Sequence, residues 1–205
     1  TDDNGRYPVG INRDTSNAWI WPALLRNYIG MGDNVELFKC PSAPPDAQWK
    51  VEFGSGLPAS DGYLADEMRL RPGGVSFMSY GYNVWGGWAG QVPNTGLGVY
   101  KGDPIYGGAK EATVRVPTDM IAIGDSNWDP EKNGDRDWSG FIGMYAERQW
   151  PLEIHGNRAN ILFADGHVQA LPRTEMIAQL VEGRGEKERV ARRWNRDNEP
   201  HVTGN

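Results

Sequence analysis

One cysteine, Cys40, is all the chain holds, so no intramolecular disulfide can form. That fits the cytosol and leaves the periplasm open. Histidine is almost as scarce: His155, His167 and His201 are the three. No apolar run is long enough to span a bilayer, and no secretory signal peptide is visible. The G-x-S-x-G, H-E-x-x-H, Walker and dinucleotide motifs are absent, which removes the usual local marks of serine hydrolases, zinc proteases and nucleotide-binding enzymes. Basic charge is the minority, with 21 Lys and Arg against 27 Asp and Glu in 205 residues, a formal −6. Such a chain repels phosphate backbones, so we expect no nucleic-acid partner.

Apolar residues make up 39% of the chain, and 27 glycines and 14 prolines imply long loops. Nine tryptophans and eight tyrosines argue against disorder, because disordered chains are poor in aromatics. The chain opens on Thr1-Asp2-Asp3 without an initiator methionine, and we expect a leading segment ahead of it.

The pattern predicts a helix over 16–30, capped by Ser16 or Asn17, with Pro22 near its first turn and Gly30 as its stop. Residues 35–42 read as a short buried segment, 43–75 as a long insertion and 86–108 as loop. Alternation predicts a strand within 76–85, and DMIAIGDS (119–126) a buried strand. TVRVP (113–117) suggests an extended stretch or a lead-in to a helix, and 127–140 an acidic loop. TEMIAQLV (174–181) predicts a short amphipathic helix, and the charged tail beyond it a solvated face. No repeat or linker interrupts the chain, so residues 1–205 are expected to form one domain.

HGNRANILFADGH (155–167) holds two of the three histidines. Asp165-Gly166 between two apolar runs is a hairpin signal, since a two-residue turn needs positive φ at both central positions. That turn pairs Ala164 with His167 and Phe163 with Val168. It places Ile161, Phe163, Val168 and Ala170 on one apolar face. His155 then lies at the far end of the hairpin from Asp165, about 25 Å away. The two can share neither an ion nor a proton. Asp165 and Gly166 make the turn, and His155 bonds a group near its own end.

Other candidates have two readings each. Asp125, Asn127, Asp129, Glu131, Asn133, Asp135 and Asp137 alternate along an acidic loop, either a Ca²⁺ site or a solvated loop. It is not an EF-hand, because Pro130 stands where glycine is needed and Arg136 where glutamate is. Trp85 and Trp88, flanked by glycines, could stack on sugar rings or belong to the core. Cys40 reads as a buried structural thiol rather than a nucleophile. Glu153 and His155, two apart, would share one strand face as a catalytic or merely bonded couple.

His155, nine residues, then Asp165-Gly166-His167-Val168 resembles the C-terminal motif of bacterial pseudopilin-like proteins abundant in Planctomycetes, Verrucomicrobia and Lentisphaerae. Further landmarks occur in order. Asp2-Asp3-Asn4-Gly5-Arg6-Tyr7-Pro8 resembles the segment after the long N-terminal helix. Cys40-Pro41-Ser42, Ser79-Tyr80-Gly81-Tyr82-Asn83 and Gly124-Asp125-Ser126 resemble the family's CPS, SYxxN and GDS segments. Arg192-Arg193-Trp194-Asn195-Arg196-Asp197 with Pro200-His201 resembles its C-terminal signature.

The resemblance implies an α+β fold, a pilin-like antiparallel sheet packed on a helix, with long loop insertions. The N-terminal hydrophobic helix and its peptidase site are absent from this sequence, so an apolar groove on the sheet is expected. It also implies a non-enzymatic subunit of a type II secretion-like or pilus-like assembly. That subunit would be anchored on the periplasmic or extracellular face of the inner membrane. Its partners would be other pseudopilin subunits and secretion-system components, with Ca²⁺ as the one candidate cofactor. Two readings from other classes stand beside it: a polysaccharide-binding module using Trp85 and Trp88, and a metal-dependent hydrolase using His155, His167 and Asp125.

Overall fold

The computed structural model describes residues 4–8, 10–14, 17–22, 25, 36–44, 78–87, 95–98, 108–126 and 140–201. Two sheets occur among them. Strands β1 (Ile11–Asp14) and β2 (Asn17–Ile20) form an antiparallel hairpin, with Asp14 opposite Asn17. A four-stranded antiparallel meander follows, in the order β3 (Tyr80–Tyr82), β4 (Ile121–Asp125), β5 (Ala159–Phe163), β6 (Val168–Leu171). An α-helix, α1 (Arg184–Arg192), packs near the chain's end. The architecture is mixed α+β.

The helix expected over 16–30 does not begin where its pattern suggested. Residues 17–20 are strand, and helix starts at Trp21, with Pro22 in its first turn. A short hairpin connection lets β2 pair with β1, and that local pairing outweighs helical spacing. The helix expected over 174–181 is instead two 3-10 turns, Arg173–Glu175 and Ala178–Leu180. Glu111–Thr113 is a further 3-10 turn at the start of the stretch read as extended or pre-helical.

The sheet divides the core in two. On one side Trp21, Phe38, Met78, Tyr82, Val84, Leu97 and Phe141 pack together, with the Trp21 ring edge-on to Phe38 at 5.9 Å. The other side holds Ile121, Ile142, Ile161, Phe163, Met176 and Trp194. Both faces of β4 are therefore packed, with Ile121 on the second core and Ala122 on the first. The cross-strand pair Gly81–Gly124 makes room for the second core. A Cβ on Gly81 would sit 2.6 Å from Ile142 Cγ2, and one on Gly124 2.5 Å from Ile161 Cδ1.

The β5–β6 hairpin exists, but its register is one residue off the expected one. Leu162 pairs with Val168 and Ile161 with Gln169. The loop has three residues, not two. Gly166 N–H donates to Phe163 O across Ala164-Asp165, neither of which has positive φ, and Gly166 takes φ +95°. This is the three-residue hairpin with a left-handed glycine. A one-residue slip exchanges the faces of β6. Val168 and Ala170, expected in the core, are exposed, Val168 by 63%.

The tail is not a solvated face. Val190, Ala191 and Trp194 are fully buried in the second core. The Trp194 indole N–H donates to Met176 O at 2.6 Å. Two buried asparagines lock this end to the sheet. Asn83 Nδ2 donates to Ile121 O and Trp194 O, while its Oδ1 accepts from Gly86 N–H. Asn195 Oδ1 accepts from Gly87 N–H and the Thr95 hydroxyl, and its Nδ2 donates to Ala191 O and Glu199 O.

Candidate functional site: a cysteine, an aspartate and a histidine on one centre

Asp125 ends β4, and a bulge decides where it points. Ile121 pairs with Phe163, yet Ile123 pairs with Leu162, so Ala122 is one residue too many. In a regular strand residues four apart share a face. The extra residue turns Asp125 to the face opposite Ile121, toward Tyr80 and away from the second core. Bulges re-aim side chains in this way at sites of function.

The aspartate meets two residues distant in sequence. Cys40 follows the 3-10 turn Glu36–Phe38 and is 1% exposed. His155 sits in the turn before β5, its backbone N–H donating to Arg158 O. His155 Nε2 lies 3.5 Å from Cys40 Sγ and 3.4 Å from Asp125 Oδ1. The three ligand-type atoms lie within 4.8 Å of one another. Asp125 is fully buried, and its Oδ2 accepts from Asn160 N–H at 2.6 Å. Its Oδ1 has no hydrogen-bond partner, because the imidazole at 3.4 Å is not aligned to donate.

Burial pushes the Asp125 carboxyl up from its ordinary value, against the Asn160 N–H and His155, which favour the charged form. Tyr80 packs against Cys40. Burial first, then the Cys40 thiol and Asp125, push its phenol up to about 12. It stays neutral and can donate a hydrogen bond. Cys40 and the side chain of Asp125 are sealed, whereas the His155 side chain is 26% exposed.

The geometry is not that of a thiol-protease relay. There the nucleophile and the carboxylate bond different ring nitrogens of the histidine. Here one nitrogen, Nε2, faces both. Such convergence suits three groups looking at a common point.

The other candidates are dispersed. Asp125, the first member of the expected Ca²⁺ series, turns into the interior. Asn127, Asp129, Glu131, Asn133, Asp135 and Asp137 lie outside the described residues, as does Trp88. Trp85 is half-buried, its ring 5.0 Å from Phe141 against the first core. Glu153 does not couple to His155, since 151–158 is not a strand. It accepts from Arg173 N–H at 2.8 Å instead.

His167 does not join His155 and Asp125, as the hydrolase reading required. It lies beyond the other end of β5, bonded to Asp165 Oδ1 at 2.6 Å and stacked on Phe163 at 4.4 Å. Asp165 is the turn residue expected, and the His167 bonds hold its carboxyl below the usual range. His201 pairs with Asp197.

Cys40 is buried, as its reading as a structural thiol expects, but His155, distant in sequence, stands beside it. The signal that could have found it was the resemblance itself. Three separate landmarks (CPS, GDS and the motif histidine) supply the three groups. No protein family, curated protein or solved structure matches the chain. No helix among the described residues is long and apolar enough to cross a membrane.

Proposed function

We propose that the chain is the globular part of a pseudopilin-like structural subunit, pilin-like in its packing and non-enzymatic. The observation that carries this reading is how the ordered landmark residues are used. Asn83 and Asn195 direct their amides to backbone groups, Trp194 closes the second core, and Gly81 and Gly124 admit Ile142. These positions build a framework, as a repeating subunit requires. Assembly would then run through an N-terminal helix in the membrane and filament core, with these loops facing outward.

The test is the N-terminus and intact mass of the protein isolated from its source organism. The expected result is a mature chain that starts with an N-methylated residue, followed by about 20 apolar residues ahead of Thr1. A mature N-terminus close to Thr1, or one left by an ordinary signal peptidase, would remove the filament reading.

A further inference from the structure

We propose that Cys40, Asp125 and His155 bind one divalent ion of the zinc class. Three observations converge on it. The first is spacing. With zinc–sulfur at about 2.3 Å, zinc–nitrogen and zinc–oxygen near 2.05 Å and tetrahedral angles, the S···N edge should be about 3.5 Å and the N···O edge about 3.4 Å. The observed edges are 3.5 Å and 3.4 Å.

The second is hydrogen-bond arithmetic. If Nε2 carries the proton, it has one hydrogen to offer to two acceptors, Sγ and Oδ1. If it does not, it can accept from the thiol, and Oδ1 faces a lone pair. Neither arrangement pairs Oδ1 here, and it is the only buried side-chain nitrogen or oxygen without a hydrogen-bond partner among the described residues. A single cation accepts a lone pair from all three. The third is support. Asn160 N–H fixes Oδ2 and so leaves Oδ1 facing the centre, as outer partners do for metal-binding carboxylates.

The donor set selects the ion. Thiolate and imidazole suit zinc and its neighbours, and Ca²⁺ and Mg²⁺ want oxygens. On binding, the Cys40 proton leaves to solvent and the thiolate ligates the metal. The partly exposed side of His155 gives the ion its way in and leaves the fourth position to water. The proposal stands independently of whether the chain joins a filament.

Co²⁺ is the probe, added to the metal-stripped protein, with Zn²⁺ as competitor. One equivalent should produce a thiolate-to-cobalt absorption in the near ultraviolet and the visible bands of a tetrahedral site. Zn²⁺ should erase both and raise the melting temperature, and Ca²⁺ should do neither. His155→Ala, at the exposed edge, should weaken binding by about 100-fold, the upper end of what losing even an outer partner costs. Cys40→Ser should remove the near-ultraviolet band.

A folded wild-type protein that shows neither band nor a Zn²⁺-dependent melting shift overturns the proposal. So does Co²⁺ binding that His155→Ala leaves unchanged. The wild-type titration decides the matter even where Cys40→Ser does not fold.

Discussion

Asn83 gives the sharpest test of the framework. Its side chain is fully buried and makes three hydrogen bonds to backbone: to Ile121 O at 2.9 Å, to Trp194 O at 3.0 Å and from Gly86 N–H at 3.0 Å. Asn83→Ala removes all three and strands the partners. At a net 0.5–1.5 kcal/mol per bond, the loss should be about 3 kcal/mol. In a chain of this size that lowers the melting temperature by about 6–12 °C.

Asn83→Asp sharpens the argument, because it keeps shape while inverting polarity. One oxygen still accepts from Gly86, but the other then faces two carbonyl oxygens. The carboxylate is driven toward its protonated form, so its folded-state pKa rises above the unfolded value. The sign follows: the charged form is penalised as pH rises past the unfolded carboxylate range. Asn83→Asp should therefore lose at least as much as Asn83→Ala at neutral pH and recover part of it on acidification. Urea or thermal melts followed by tryptophan fluorescence from about pH 7 to pH 4 read this directly. A loss under about 1 kcal/mol for the alanine variant, or a pH-independent deficit for the aspartate variant, would refute the reasoning.

Other expectations follow from packing and charge. Gly124→Ala should cost about 1–3 kcal/mol by overpacking against Ile161, read from the chemical-denaturation midpoint. Trp194→Phe, which keeps the ring but loses the bond to Met176 O, should cost about 1–2 kcal/mol, and Trp194→Ala about 3–5 kcal/mol in the same assay. The side-chain bond from Arg189 holds Glu175 below its usual range. Its contribution is present above the unfolded carboxylate pKa and lost as pH falls through the folded one. Glu175→Gln should thus flatten the melting-temperature decline between about pH 5 and pH 3, by under about 1 kcal/mol for so exposed a pair.

Much of the sheet was legible because its signals are local. Alternation in SYGYN, the apolar run before Asp125 and the Asp165-Gly166 turn sit where β3, β4 and the β5–β6 connection occur. The register of that hairpin was not legible. Ala164-Asp165-Gly166 serves a three-residue loop as well as Asp165-Gly166 serves a two-residue one, and only the backbone decides. The buried tail was misread for the opposite reason. Val190, Ala191 and Trp194 are few apolar residues among many charged ones, and their shared spacing on one face was outvoted by composition. The three-residue site lay furthest from reach. Its members come from the loop after a 3-10 turn, a strand end and a pre-strand turn, and the bulge at Ala122 that aims Asp125 leaves no mark in sequence.

The asparagine lock also sets an order of events during synthesis. Asn83 contacts Trp194 across 111 residues, and Arg196 N–H donates to Thr95 O while Arg115 N–H donates to Arg196 O. The sheet's first strand thus waits for the chain's last helix. A nascent chain can form the β5–β6 ribbon before that helix is made, but its second core stays open until the helix has left the ribosome, and contacts this distant in sequence close slowly. Release of a chain stopped short of Trp194 would leave Asn83 without the Trp194 carbonyl, and Gly87 N–H and the Thr95 hydroxyl without Asn195, a substrate for quality-control proteases rather than a smaller version of the same protein.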